Sequence, residues 1–274
     1  MMSTAKYKAY HGKWIATVDF YDALARAAFL LLTARQPLDH PLLKDNSSGR
    51  AAILAIGSDR GLCGPYNNRI CRLVEENIRT AKGRAKKADI YATGSRLVHS
   101  LNFHEIVPVR VYEDIQGMPT ETQLDQIAQD FIGQYTDCKI DYLGVVYMRF
   151  YSSTSQQAQT LTVMPLTELI DDLTTRAKVI WPWEYTFEDF FMSPSAGLVI
   201  EGLAKMIMRS SIKNCFMEAL LSEHVARMVA MRSATENADD MIRQLTGEYN
   251  RARQSQITAE LLDIIGGTGV AEYE

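Results

Sequence analysis

The sequence is poor in the residues that bind metal ions or cross-link small domains. Its 274 residues include only four cysteines and five histidines. The cysteines are Cys63, Cys71, Cys138 and Cys215, and no two of them are spaced as C-x-x-C. A structural zinc site needs clustered ligands, so we predict no metal site. Four unpaired thiols also indicate a reducing compartment.

A long apolar run and a strong excess of charge are absent as well. The longest apolar run, Ala27–Leu32, is far shorter than the roughly 20 residues that span a membrane. The stretch Met1–Trp14 has no apolar segment and no cleavage site, so we predict no secretory signal. The formal net charge of −4 provides no basic field for nucleic acid. We therefore expect a globular protein with no nucleic-acid partner.

Proline is missing from both ends of the chain. None of the eight prolines precedes Pro37 or follows Pro194, and proline is the residue that a helix interior tolerates least. Near the N-terminus, apolar and aromatic residues recur mostly three and four positions apart: Tyr7, Tyr10, Trp14, Tyr21, Leu24, Ala28 and Leu31. This spacing predicts a helix with a coiled-coil seam over residues 1–35.

The C-terminal part repeats this spacing over a longer stretch. From Met217 to Gln256 the seam positions alternate in steps of four and three, with polar interruptions at His224 and Thr235. A sustained heptad pattern predicts a coiled coil, which we assign to residues 195–274. At 1.5 Å per residue, a helix over most of this range would be roughly 95 Å long. One domain cannot cover that length, so we expect the helix to project.

The middle of the chain alternates between strand-like and helix-like segments. Short apolar, β-branched runs predict strands, and the segments between several of them have helical spacing. The predicted strands are Ala51–Asp59, Ala88–Arg96, Ile106–Glu113, Asp141–Ser152 and, less clearly marked, Thr160–Leu169; the predicted helices are Asn67–Gly83 and Glu121–Asp137. This alternation predicts an α/β domain over residues 50–170 with a mostly parallel sheet.

A glycine-rich loop follows the first predicted strand. Gly57, Gly61 and Gly64 precede a predicted helix, the usual position of a phosphate-binding loop. Their spacing fits neither G-x-G-x-x-G nor a P-loop, and no Lys-Ser/Thr pair follows. Pro65 also removes one amide donor. Two interpretations stay open: a nucleotide-binding site, or glycines that shape a sharp turn and allow close packing.

Candidates for acid–base or nucleophilic chemistry are weak. Ser58, Asp59 and Arg60 have no histidine near them in the sequence, and Ser-Asp pairs are common in turns and caps. Further along, Arg253, Gln254 and Thr258 lie near the end of the long predicted helix. Such groups suit specific pairing with carboxylates or carbonyls of another protein, or they form a solvated helix end.

Two stretches resemble signatures of one known family, the γ subunit of rotary F-type ATP synthases. They are SEHVARMVAMRSATENADDMIRQLTGEYNRARQSQITAELLDIIGG (Ser222–Gly267) and SDRGLCGPYNN (Ser58–Asn68). The family pattern for the second is S-D-R-G-L-C-G-G-(F/Y)-N, and Pro65 stands where a glycine is usual. The resemblance covers essentially the whole chain and is weaker from about Ser152 to Pro194.

The resemblance implies an α/β fold in which a small, mostly parallel sheet domain is inserted between two long terminal helices that form an antiparallel coiled coil. It implies a rotor shaft, the central stalk, with no active site and no cofactor of its own. The implied partners are the α and β subunits of the catalytic hexamer, the ε subunit and the c-ring of the membrane sector. One copy per complex is expected, as a peripheral protein on the cytoplasmic face of a prokaryotic cell membrane that couples to protons or sodium ions.

The resemblance also implies roles for particular residues. Arg253, Gln254 and Thr258 match positions that contact the catch loops of the β subunits. Arg227 and Met228 match a helix segment tied to coupling. The family-motif turn comprises Ser58, Asp59, Arg60, Gly61 and Gly64, and we call residues 58–64 the motif turn.

One departure from the family pattern concerns the N-terminal helix. In the family this helix begins upstream of the segment that MMSTAKYKAY matches, with a stretch like I-T-K-A-M. We therefore expect residues 1–35 to be a truncated helix and the seam from Thr235 onward to be largely unpaired. A late annotated start and a divergent rotor both explain the difference. A nucleotide-binding α/β enzyme and a coiled-coil adaptor remain the alternatives to a rotor.

Overall fold

The computed structural model describes residues 2–32, 40–84, 86–180, 193 and 195–270. The helices are α1 (Met2–Leu32), α2 (Tyr66–Gly83), α3 (Ser95–Phe103), α4 (Glu121–Thr136), α5 (Leu166–Ile180) and α6 (Ala196–Val270). The strands are β1 (Arg50–Ile56), β2 (Lys87–Thr93), β3 (Arg110–Val111), β4 (Tyr142–Phe150) and β5 (Gln156–Met164). A short 3₁₀ turn spans Pro41–Leu43.

The five strands form one mostly parallel sheet, as predicted. Their order is β3-β2-β1-β4-β5, and every neighbouring pair is parallel except β4 and β5. Helical crossovers connect the parallel strands, whereas a short hairpin connects β4 to β5 and makes that pair antiparallel. Strand β1 is central, and all its residues after Arg50 are buried because both faces of the sheet are covered.

Alternate side chains of β1 enter two hydrophobic cores. Leu54 belongs to a core that includes Phe131 of α4 and Phe216 of α6. Its neighbour Ile53 belongs to a second core on the opposite face, which includes residues of α2 and α3 such as Ile70. The period-two alternation of a strand therefore places helices on both sides of the sheet.

Some elements differ from the sequence prediction. Helix α3 was not predicted, because nine residues provide only two turns of periodicity. Strand β3 is only two residues long. It begins after Pro108, because proline has no amide hydrogen to donate to the neighbouring strand. Strand β5 ends at Met164 rather than Leu169, and α5 begins at Leu166. The start of α4 is set by a capping box between Thr120 and Gln123.

The two terminal helices run antiparallel, as predicted. The ring of Tyr10 in α1 stacks on the ring of His224 in α6, with centroids 5.7 Å apart. Leu24, later in α1, belongs instead to the core that contains Ala204 and Ile207 from the start of α6. Three predicted seam residues of α1 have side chains outside the described part of the structure: Tyr21, Ala28 and Leu31.

The chain divides into two compact units, Met1–Met228 and Val229–Glu274. The first contains the sheet, and the described part of the second is helical throughout. In the second unit the predicted seam residues Ile242, Leu245 and Tyr249 are exposed. No helix in the described ranges is both long enough and apolar enough to cross a membrane.

All four cysteines are free thiols, as predicted.

Candidate functional site

The motif turn follows β1, and local geometry explains the glycines at positions 57 and 64. Leu62 and Gly64 have φ values of 62° and 58°, in the left-handed region that favours glycine. A Cβ atom on Gly57, just before the turn, would lie 2.2 Å from Cβ of Leu97 in α3. Glycine therefore allows the end of β1 to pack directly on α3, and a phosphate is not needed to explain it.

Ser58 is buried and bonded within the turn. Its amide donates to Oδ1 of Asn67 at 3.2 Å, and Nδ2 of Asn67 donates to the Ser58 hydroxyl oxygen at 2.8 Å. The Ser58 hydroxyl also lies 3.6 Å from Sγ of Cys63. None of these partners is a general base, so the arrangement holds the turn and does not activate a nucleophile.

Asp59 links the motif turn to the start of α3 and to the loop that precedes α4. Its Oδ1 accepts a hydrogen bond from the amide of Ser95 at the start of α3, and its Oδ2 accepts one from the amide of Gly117, both at 3.2 Å. The Ser95 hydroxyl donates to the Asp59 carbonyl at 3.0 Å. A carboxylate is favoured at a helix N-terminus for the same reason as a phosphate. The chain thus places its own carboxylate at the N-terminus of α3, beside the motif turn.

Arg227 of α6 holds the motif turn from the other side. Its Nε donates to the Gly61 carbonyl at 3.2 Å, and its Nη2 donates to the Arg60 carbonyl at 3.1 Å. Nη2 also pairs with Oε1 of Glu223 at 2.6 Å, and the two side chains are only 13% and 9% exposed. We call these four residues, Arg60, Gly61, Glu223 and Arg227, the Arg227 clamp. A planar guanidinium with five donors suits this triple contact.

Burial shifts the pKa of Glu223 within the clamp and of His224 beside it. It raises the pKa of the Glu223 carboxyl, a rise that the Arg227 guanidinium partly offsets. It also lowers the pKa of His224 to about 4, with Arg227 and Lys6 adding to the effect. His224 is therefore neutral near pH 7. A neutral His224 ring also fits its surroundings, because it stacks on Tyr10 and lies near two cations, Arg227 and Lys6.

Met228 belongs to an apolar cluster on the same stretch of α6. It packs against Phe150 at the end of β4 together with Leu221 and Val225. Trp14 of α1 meets the Phe150 ring edge-on, with centroids 5.5 Å apart. The predicted coupling segment therefore lies where α1, β4 and α6 meet.

A cavity of about 450 Å³ opens between α1, the motif turn and α6. Its lining includes Lys6, Asp59, Arg60, Glu223 and Arg227. The basic and acidic groups are mixed, and the pattern of nucleophile, base and orienting group that catalysis needs is not formed by these side chains. Within the described ranges, no group of three or more histidine, cysteine or acidic side chains could hold a metal ion.

Arg253, Gln254 and Thr258 lie on α6 in the second unit, and all three are exposed. The Thr258 hydroxyl donates to the Gln254 carbonyl at 2.8 Å, a bond within the helix.

The contacts of Asp59 and Arg227 were missed by sequence reasoning, because their partners lie 36 to 167 positions away. Only the resemblance pointed to Arg227, whereas Asp59 was also a weak candidate for acid–base chemistry.

Comparison with known proteins decides the family. The family model described as ATP synthase matches residues 1–269. An ATP synthase gamma chain from Rhodopirellula baltica is 33% identical over 273 residues, which is 99% of this chain and 91% of that one. The chain belongs to the ATP synthase gamma-chain family. A gamma chain from Kineococcus radiotolerans is also 33% identical, over 92% of this chain and 83% of that protein.

Solved structures share the gamma-chain fold. A chain of the Euglena gracilis mitochondrial ATP synthase gives a TM-score of 0.57 at 17% identity, with 97% of this chain and 95% of that chain covered. A central-stalk chain of the Tetrahymena thermophila mitochondrial ATP synthase gives 0.54 at 17% identity, with 86% and 100% covered. The resemblance seen in the sequence is confirmed. The motif turn and the Arg227 clamp are thus parts of a gamma-chain fold.

Proposed function

We propose that this chain is the central rotor shaft of an F-type ATP synthase. It couples ion flow through the membrane sector to ATP synthesis or hydrolysis in the catalytic hexamer, and it is a non-catalytic subunit. The observation that carries this proposal is the gamma-chain match over nearly the whole chain. The described part of the second unit supports it, because it is helical throughout and most of its side chains are exposed and available to a partner.

The exposed part of α6 contacts the hexamer in this proposal. Arg253, Gln254 and Thr258 bind the catch loops of the β subunits, where guanidinium and amide groups pair with carboxylates and carbonyls. Their exposure supports this role, since side chains without cover in their own unit are available to a partner. Arg227 and Met228 act in coupling through the segment of α6 that holds the motif turn.

The remaining partners bind the first unit. The α/β domain, taken as residues 50–170, rests with the ε subunit on the c-ring, so the protein is peripheral on the cytoplasmic face of the membrane. The terminal helices, residues 1–35 and 195–274, form the shaft, and each complex contains one copy. The Asp59 contacts support a structural role for the motif turn, because its carboxylate is already bonded to the backbone amides of Ser95 and Gly117.

Reconstitution tests the proposal. The chain is co-expressed with the α, β and ε subunits of its own complex, purified, and combined with the membrane sector in sealed vesicles. We expect one copy per three β subunits and ATP-driven ion uptake that needs this chain. Failure of the full-length chain to co-purify as a single copy favours a coiled-coil adaptor. Saturable stabilisation of the isolated chain by ATP, NAD or FMN favours an enzyme.

A further inference from the structure

Two buried hydroxyls join α6 to the α/β domain. The Tyr66 hydroxyl of α2 donates to the Ala219 carbonyl at 2.9 Å. The Ser222 hydroxyl donates to the Met148 carbonyl of β4 at 3.1 Å. Tyr66 is 2% exposed and Ser222 0%. Burial holds the pKa of the Tyr66 phenol well above its usual value, so its hydroxyl keeps the proton that it donates.

The Arg227 clamp supplies a third contact of this kind, to the carbonyls of the motif turn. The three contacts approach α6 from three separate elements: helix α2, strand β4 and the turn after β1. All lie within the first unit, on the segment of α6 between residues 219 and 227. Contacts from three separate directions can hold a helix against both rotation and translation.

Apolar packing alone restrains the rotation and sliding of a helix less than directional hydrogen bonds do. Hydrophobic attraction scales with buried area and has no preferred direction, so a helix that turns in an apolar groove keeps much of it. A hydrogen bond, in contrast, depends on direction: it weakens steeply when the angle at the hydrogen, between donor and acceptor, falls below about 120°. A slip by one residue turns the helix by about 100° and moves it about 1.5 Å. All three contacts would break together, and Tyr66 and Ser222 would be left buried without acceptors.

We propose that these three contacts, the register lock, fix α6 against rotation and sliding on the α/β domain, and that torque passes between the domain and α6 through them. The proposal rests on the rotor function proposed above. A rotor whose helix slips in its domain hydrolyses ATP without moving the full number of ions. The slip grows with the opposing load, because the load acts on the same contacts.

The buried hydroxyls allow a test that partner contacts do not affect. Arg227 is partly accessible, so its substitution could also change a subunit interface. Tyr66 and Ser222 are enclosed by the chain itself. The double variant Tyr66→Phe/Ser222→Ala removes two oxygen atoms and no other group.

The experiment measures ions pumped per ATP hydrolysed by the complete complex in sealed vesicles, against increasing opposing gradients. We define slip as the fraction of ATP hydrolysed without the corresponding ion transport. For the double variant we expect slip under load to rise about tenfold, since each lost hydrogen bond raises the population of the slipped state several-fold. ATP hydrolysis without a gradient stays at the wild-type rate. Adding Arg227→Lys, which keeps the charge beside Glu223 but loses the planar fork, increases the slip further.

The matched control is Tyr151→Phe/Ser153→Ala, which removes the same two groups from exposed positions after β4. It should pump as the wild type does under every load. If the Tyr66/Ser222 variant does not assemble, Tyr66→Phe alone is measured and must show slip several-fold above the control. Normal pumping under load by an assembled variant overturns the register lock and leaves the rotor function standing. Absence of ATP-driven pumping by the wild-type complex overturns the rotor function itself.

Discussion

Arg227 donates a hydrogen bond from its Nε to the carbonyl of Gly61, 166 positions earlier in the chain, at 3.2 Å. This contact joins the two stretches whose resemblance to the gamma-chain family is most specific. The C-terminal signature and the motif turn are therefore parts of one structural joint. The Arg60 and Gly61 carbonyls of the turn accept hydrogen bonds from α6, and Leu62 and Gly64 just after them adopt left-handed conformations.

Loss of the clamp should destabilise the isolated chain. Arg227→Ala leaves the buried Glu223 carboxyl without its cation, and we expect a loss of about 3–5 kcal/mol in the free energy of unfolding. The double variant Arg227→Met/Glu223→Gln removes both charges, so its loss should be smaller. Urea denaturation of the two variants and the wild type checks this. A double variant less stable than Arg227→Ala would contradict the ion-pair explanation.

Acid should weaken the contact between α1 and α6 through His224. Its pKa is about 4 in the folded protein, below the usual 6.5, so the unfolded state binds the additional proton between these values. The free energy of unfolding therefore falls as the pH is lowered from 6.5 to 4, by about 3 kcal/mol from this residue. Unfolding curves of the wild type and His224→Gln across this range check it. Their difference in stability should change with pH, and a constant difference would refute the shift.

Gly57 should not tolerate a side chain. Gly57→Ala forces a methyl group against Leu97, and we expect a loss of about 1–3 kcal/mol. The control is Gly133→Ala in α4, where an added Cβ meets no atom within 4 Å and alanine is the better helix former. Thermal unfolding of both variants separates a steric cause from a general effect of removing glycine, since Gly133→Ala should be neutral or stabilising.

Asp59 should act as an internal anion. Asp59→Ala removes acceptors for the amides of Ser95 and Gly117, and we expect a loss of about 1–3 kcal/mol. Asp59→Asn keeps one acceptor oxygen and should lose less. In the wild-type chain, titration with ATP should leave the melting temperature unchanged. A saturable rise of several degrees would show that the crevice accepts a nucleotide despite Asp59.

The exposed end of α6 should matter for coupling rather than folding. Arg253→Ala/Gln254→Ala should change the free energy of unfolding by less than about 0.5 kcal/mol, because both side chains are exposed. The same variant should lower the coupled ATPase rate of the reconstituted complex. Arg243→Ala, also exposed on α6, is the control for general charge loss. Unchanged turnover in the Arg253/Gln254 variant would remove these residues from the proposed interface.

Local patterns were sufficient for several features of the fold. Absence of proline before Pro37 and after Pro194 predicted the two terminal helices, since helix formation depends on neighbouring residues. Alternation of apolar runs predicted the mostly parallel sheet. Helix α3 and the short β3 escaped prediction, because two turns of helix and two paired residues contain too little periodicity.

The sequence by itself determined the class of fold and the family, because both follow from patterns within short windows and from two signature stretches. It left the glycine loop open between a phosphate site and a turn. The tertiary structure favours the turn, because the Asp59 carboxylate bonds to the start of α3 and Arg227 bonds to a carbonyl of the turn. These partners are separated by 36 and 166 positions. Hydrogen bonds over such distances depend on how the elements pack, and no local pattern encodes them.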